Sequence, residues 1–472
     1  EYRQIKKNSE ILADFGYVNR YKSISTNKKN NLSHLFFNLN HDLNLENYIS
    51  SDFELSFNKV SKDTYLKIFD QHLTKSTLRP GDFDKLNNRL KISLNHTDFS
   101  LSTGIQGYEN LQTKKSSDRY QYNLPYYNFD KLISQKFVEG NINFNSSGNN
   151  YLSDTNKLET IITNDFTYNS LDFISDLGIK NNYSLSLKNL NSVGKKTSKY
   201  KSSPQVEIAG LFNVDLSMPL EKKVENYENL LTPKLSFRFN PNDMKDHSLS
   251  ENRINANNAF ALNRLGLSDT LEAGRSITLG LDYENKKKND LNQINNYFEL
   301  KLATVLRDKE EKFIPNKSSI HRKNSNLFGS ISNQFSKYLN LGYDFSLNND
   351  YSTFDYNDLN TTISINNFVT KFNFIEEQGE LGDANSLSNT TKYSLDEKSS
   401  FTFQTRRNRK LSLTEYYDLV YEYKNDCLTA GIKYKKSYYA DEDLRPTENL
   451  FFTITLFPLT SYEYQASELM DQ

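Results

Sequence analysis

Leu450-Phe451-Phe452-Thr453-Ile454-Thr455-Leu456-Phe457-Pro458, close to the end of the chain, alternates with a period of two. Leu450, Phe452, Ile454 and Leu456 fall on one face, and Phe451, Thr453, Thr455 and Phe457 on the other. That is the pattern of a strand whose two sides meet different surroundings. Upstream, Asn425-Asp426-Cys427-Leu428-Thr429-Ala430-Gly431-Ile432-Lys433-Tyr434-Lys435-Lys436-Ser437-Tyr438-Tyr439 joins a tight turn to a second strand, in which Gly431, Ile432 and Tyr434 mix with Lys433, Lys435 and Lys436. The two faces of the strand at 450–457 read as the lipid face and the inner face of a membrane barrel.

Composition supports this reading. Only 36% of the 472 residues are hydrophobic, and mean hydropathy is -0.74. A chain so poor in apolar residues is either disordered or a barrel that needs them on one side of each strand only. With 31 Tyr and 31 Phe the chain is 13% aromatic, which argues against disorder, since disordered chains are poor in rings that seek burial or a membrane interface. No run of about 18 apolar residues occurs, so a spanning helix is excluded while a closed barrel is not. The net charge of -1 gives no nucleic-acid footprint, and Lys286-Lys287-Lys288 reads as a solvated turn.

Asn- and Asp-containing turns recur along the chain, at Asn149-Asn150, Asn181-Asn182, Asn295-Asn296, Asn348-Asn349-Asp350 and Asn425-Asp426, with alternating segments between them. At roughly 16 residues per strand and turn, such a chain holds about two dozen strands. That is too many for one sandwich, and no fixed repeat period marks a propeller or solenoid. Residues 195–204, 241–268 and 379–389 are polar and read as long loops, outer or folded into the lumen. Short strands within residues 2–26 are expected to precede the barrel.

Barrels of this kind place short turns and both termini in the periplasm and long loops outside. Residues 424–426 are then a periplasmic turn, and 439–449 an outer loop. Arg406, Arg407, Arg409 and Lys410 sit near the outer end, placed either to bind phosphorylated headgroups or to balance nearby acids. Cys427 is the only cysteine, so an internal disulfide is excluded. It is a buried thiol, a free thiol, or half of a bridge to a segment outside this sequence. The chain opens Glu1-Tyr2-Arg3-Gln4, without Met or a signal peptide, and is expected to be a processed or truncated portion of something longer.

No catalytic, cofactor or metal constellation is present. The six histidines lack ligand spacing, and Ser192-Val193-Gly194-Lys195 is a chance SxxK match in a loop. The chain is therefore read as a non-enzyme without cofactors.

Four segments carry a family resemblance: Tyr2-Arg3-Gln4 leading to Ala13-Asp14-Phe15; Asp63-Thr64-Tyr65-Leu66; Leu124-Pro125-Tyr126-Tyr127-Asn128-Phe129; and Tyr421-Glu422-Tyr423-Lys424-Asn425-Asp426-Cys427 through Phe457-Pro458-Leu459. On these the chain resembles the barrel portion of the LptD (Imp/OstA, organic-solvent-tolerance) family. The resemblance implies an all-β fold: a large antiparallel transmembrane barrel of about 26 strands in the cell outer membrane, preceded by the last strands of a periplasmic jellyroll. Residues 1–33 would end that jellyroll, 34–460 form the barrel with Asp63–Leu66 in its first strands, and 461–472 make a periplasmic tail. It further implies transport of lipopolysaccharide (LPS) into the outer leaflet through a lateral gate between the first strand, residues 35–45 or the segment just before, and a last strand carrying Leu450, Phe452, Ile454 and Leu456. Implied partners are LPS, an LptE-like lipoprotein plug, an LptA-like periplasmic bridge, the barrel assembly machinery and outer-membrane lipids, and an interdomain disulfide at Cys427 is implied with them. The family's early prolines are absent before Pro80, and its paired cysteines are reduced to Cys427, which leaves room for one bridge but not two. The competing function is another large outer-membrane transport barrel, a porin or a plug-gated receptor. A receptor needs a plug domain before its first strand, and residues 1–33 are too short for one.

Overall fold

The structure, a computed structural model, describes residues 1–22, 29–69, 73, 76–113, 119–133, 139–154, 156–288, 294–438, 447–456 and 460–465. Among the described residues twenty-six strands, β1 to β26 in chain order, make one sheet in which every pairing is antiparallel and links neighbours in the ladder. Two rows are built from two strands each. β9 (Lys157–Ser170) and β10 (Phe173–Ile174) both pair with β11 (Lys180–Lys195), and β12 (Gln205–Ser217) and β13 (Leu220–Val224) both pair with β14 (Tyr227–Asn240). The second interruption falls at Met218-Pro219, where proline has no N–H for the ladder. The 26 strands therefore form 24 rows, the two dozen that chain length suggests. Among the described residues no helix is long and apolar enough to cross a membrane.

Alternation sets which side each residue meets. On β11, Tyr183, Leu185 and Leu187 are exposed while Ser184, Ser186, Lys188 and Ser192 are buried. On β14 and on β15 (Gly274–Lys288), Phe237, Phe239, Ile277 and Leu279 face out while Ser236, Arg238, Ser276 and Thr278 face in. Apolar outside and polar inside inverts a soluble core, and it explains the low hydropathy.

The two ends differ. One carries the short connections 7–8, 225–226, 337–338, 366–367 and 425–427, and the other carries 61–84, 196–204, 241–273, 308–326 and 378–384. By the short-turn rule the first end is periplasmic and the second is outer. The last of the expected loops is shorter than residues 379–389, because β21 (Asn385–Ser394) already pairs from Asn385 onward.

Four sequence expectations are corrected. Residues 2–22 do not stand apart from the barrel: β1 (Tyr2–Lys6) pairs with β2 (Ser9–Lys22), and β2 pairs with β3 (Lys29–Asp42) from Ser9 to Lys22, so the ladder has no break at residue 33. Residues 35–42 therefore lie on β3, which is bonded on both sides, to β2 and to β4 (Ser50–Val60), and is not an edge. Residues 461–465 are not a separate tail but belong to β26 (Thr460–Gln465), which pairs antiparallel with β25 (Thr447–Leu456). Asp63-Thr64-Tyr65-Leu66 leads not into a strand but into a single helical turn, α1 (Tyr65–Ile68), inside the 61–84 loop.

Candidate functional site

The ends of the sheet are its weakest place. β1 pairs only with β2, and only from Ser9 to Ala13. β25 pairs with β24 (Leu428–Ser437) on one side and with β26 on the other. Among the described residues no pairing joins β1 to β26, so the two ends of the sheet keep open edges, and unpaired N–H and C=O groups facing lipid are costly.

The outer loops fold onto the inner wall in two places. Near the seam, Tyr65 and Leu66 of α1 are buried with Leu32, Phe36, Val60 and Leu86. Tyr65 Oη lies 2.8 Å from His34 Nδ1, and His34 Nε2 lies 3.4 Å from Asp14 Oδ1. Burial, helped by Asp14, pushes the Tyr65 hydroxyl up to about 12. Gly16 is required here, since a Cβ would stand 2.4 Å from His34 Cε1.

Across the barrel, loops 241–273 and 308–326 build a larger core. Met244, Ile254, Ala259, Leu265, Leu267, Ile314 and Ile320 pack on Ala303 and Val305 of β16 (Ile294–Arg307) and on Phe328 of β17 (Leu327–Ser336). Arginines fix this core to the wall. Arg264 donates to Glu272 from Nε at 2.7 Å and from Nη2 at 2.5 Å, and also to Thr278 and Ser276. Arg307 Nη1 donates to the same carboxylate at 2.6 Å. Arg238 places Nε 3.8 Å from it and donates to the carbonyls of Ala261 and Leu262. Burial alone would raise the Glu272 carboxyl, but the surrounding guanidinium groups outweigh it and hold it well below the usual range.

A second anchor is Asp269, buried against Tyr200, Lys199 (Nζ at 2.8 Å) and His247 (Nε2 at 2.7 Å). Here too burial opposes ionisation, and the hydrogen bonds from His247, Lys199 and Tyr200 win, so the carboxyl is held low. Arg253 reaches the third loop, donating to Glu377 Oε1 at 2.5 Å and to the Leu381 carbonyl at 2.8 Å. Sequence reading treated 241–268 as polar and missed this core. The signal was present in Leu262, Leu265, Leu267 and Leu271, too apolar for a solvated loop, set around Arg264 and directly before Glu272.

The residues singled out from sequence separate. Phe452, Ile454 and Leu456 are exposed on the outer face of β25, whereas Phe451 is 1% exposed and points in. Leu450 is half-buried and stands opposite Tyr434. β25 is not the last strand, because β26 continues the ladder. Of the basic group, Arg406 pairs with Glu415 at 3.1 Å, Lys410 pairs with Asp383, and Arg409 lies over the Phe374 ring at 5.4 Å. Arg407 is exposed and has no side-chain partner among the described residues. Cys427 is a free, exposed thiol in the short turn after Asn425.

The family model described as LptD, LPS transport system D, matches residues 33–395, well over half of the chain. The chain belongs to the LptD family. It is thus a barrel of the LPS transport system, resident in the outer membrane. No curated protein matches it. Among solved structures it is similar to the siderophore receptor PirA of Pseudomonas aeruginosa, at 11% identity and TM-score 0.48, covering 98% of this chain and 81% of that one. It is also similar to the siderophore receptor PiuA of Acinetobacter baumannii, at 9% identity and TM-score 0.31, covering 100% and 78%. A third is BamA of Haemophilus ducreyi, at 9% identity and TM-score 0.18, covering 89% and 76%.

Proposed function

We propose that this LptD-family barrel inserts LPS into the outer leaflet sideways, through the seam between β1–β2 and β25–β26. The observation that carries the reading is the open ladder: among the described residues β1 pairs only with β2 and β26 only with β25, and no pairing joins β1 to β26. A gap there requires few backbone bonds to break, which is the physical condition for lateral opening. The loops packed on the inner wall add support, since a lumen occupied from the outer side favours exit through the wall. The mechanism is a conduit rather than catalysis by side chains: acyl chains pass into lipid at the seam while sugars and phosphates stay in the hydrated interior. An LptE-like lipoprotein would occupy the remaining lumen, an LptA-like bridge would deliver LPS through a preceding periplasmic domain, and Cys427 at the periplasmic rim would bond to that domain. The barrel assembly machinery would insert the chain by reading Phe452, Ile454 and Leu456.

The test is photocrosslinking in cells, with probes at Tyr17 and Leu450 beside the seam and at Ile277 on the far wall. LPS adducts enriched at Tyr17 and Leu450 over Ile277 are expected. Equal or absent adducts at the seam, in a barrel shown to be folded and inserted, would overturn lateral release.

A further inference from the structure

Two rows from the seam the outer wall is not smooth. Phe401 of β22 (Ser399–Asn408), Leu419 and Tyr421 of β23 (Leu413–Lys424), and Ile432 and Tyr434 of β24 line a groove of about 340 Å³ whose walls are almost wholly apolar. The register builds it: Phe401 stands opposite Tyr421, Tyr421 opposite Ile432, and Leu419 opposite Tyr434. Phe401 and Tyr421 tilt against each other with centroids 4.9 Å apart, and Ile432, Phe401 and Leu419 are exposed. The groove therefore opens to the bilayer.

The same three strands change character toward the outer end. Two residues beyond the apolar set, β24 presents Lys436 beside Tyr417 of β23, and Lys436 lies 5.7 Å from the Tyr438 ring centroid. β22 presents Arg407, shifted by the bulge at Arg406/Arg407 to stand opposite Thr414. Lys436 and Tyr434 share the carboxylate of Glu448, at 3.0 and 2.8 Å, an exposed contact of small worth. Arg407 has no side-chain partner among the described residues. The surface thus joins an apolar slot to two cations roughly 10 Å apart across two strand spacings, one without a side-chain partner among the described residues and one held by an exposed acid and the Tyr438 ring.

An amphiphile with phosphate at the surface and a chain below fits that order. Guanidinium and ammonium groups bind phosphate by charge-assisted bonds, and tyrosines at the boundary suit the headgroup level. We infer that the outer wall of β22–β24 is a binding site for the transported lipid itself: an LPS acyl chain lies in the Phe401–Leu419–Tyr421–Ile432–Tyr434 groove, and its phosphate is held by Arg407 and Lys436. The inference rests on the transport reading and extends it, because a lipid leaving at β25 meets this surface two strands away. The site holds released lipid beside the seam in the outer leaflet.

The experiment places a photocrosslinking probe at Leu419, with Tyr17 and Ile277 as seam and far-wall references, in cells carrying either the natural surface or Arg407→Gln with Lys436→Gln. LPS adducts at Leu419 above those at Ile277 are expected, falling about tenfold in the double variant while the Tyr17 adduct and the heat-modifiable migration of the folded barrel stay unchanged. Adducts at Leu419 with phospholipid alone, or LPS adducts indifferent to both substitutions, would overturn the site. Adducts at Tyr17 without any at Leu419 would overturn the site and leave lateral release standing. Loss at both positions in a folded barrel would overturn the two together.

Discussion

Arg264 and Glu272, eight residues apart in the 241–273 loop, form a two-bond pair of 2.7 and 2.5 Å, and both side chains are shielded from water. The pair closes the loop on itself, and Arg307 then ties the same carboxylate to β16. Removing the charge of Glu272 leaves the guanidinium groups of Arg264, Arg307 and Arg238 facing one another in a buried place. Breaking a buried pair on one side costs about 3–5 kcal/mol. Glu272→Gln is therefore expected to release the loop without unfolding the wall. Limited proteolysis of intact cells should show new cleavage within residues 241–273, and outer-membrane leakage to large antibiotics should rise. An unchanged cleavage pattern would show that apolar packing alone holds the loop.

Acid should loosen the outer loops in two steps. Burial lowers the His321 imidazole, against the opposing pull of Glu380 at 3.7 Å. Its folded value lies below the unfolded value of about 6.5, so the neutral form favours the folded loop. That contribution is whole above about 6.5 and is lost as pH falls through the lower folded value. Asp269 is also depressed in the folded state, so its contribution is whole above about 3.9 and is lost only below that. Proteolysis of the 308–326 loop should increase between pH 7.5 and 5, and His321→Asn should flatten that step. Asp269→Asn should remove the second, strongly acidic step and leave the first.

How much of this was legible in the sequence follows from what each feature depends on. Strand alternation is a local property, and Leu450 to Leu456 or Tyr183 to Leu187 display it without any neighbour. The barrel class and the short turn at Cys427 were readable for that reason. The limits of the sheet were not. Residues 2–22 carry the same alternation as a jellyroll strand would, and only the pairing of Ser9 to Lys22 with β3 places them in the barrel. The loop core was hidden for a different reason: Asn255, Asn257, Asn258 and Asn263 give residues 241–268 the composition of a solvated loop. The partners of such residues, the Leu265 carbonyl for Asn252 and the Leu267 carbonyl for Asn263, are set by tertiary folding. The basic group at 406–410 was visible as a cluster, but which member is unpaired among the described residues depends on Glu415, Phe374 and Asp383, two of them on other strands and one in another loop.

Cys427 offers a direct check of orientation. It is exposed in the turn 425–427 at the short-turn end. A maleimide too large to cross the outer membrane should leave it unlabelled in intact cells and label it after permeabilisation. Where a periplasmic domain supplies a cysteine, labelling after permeabilisation should also require a reductant. Labelling of intact cells would place this end outside and reverse every assignment of loop and turn.

Phe452 and Ile454 are 41% and 49% exposed on the outer face of β25, while Thr453 between them points inward. In the bilayer that exposed surface meets acyl chains, where a charged side chain is destabilising, most at the midplane and least near the interfaces. Phe452→Asp with Ile454→Asp should therefore abolish insertion, both by that cost and by erasing the apolar period through which the assembly machinery would read β25. Thr453→Asp adds the same charge to the polar side and should be tolerated. The readout is the heat-modifiable folded band in outer-membrane fractions, compared with total chain. Normal assembly of the double variant would show that β25 is not read through its lipid face. Equal failure of Thr453→Asp would show that any charge on this strand is rejected, whichever way it points.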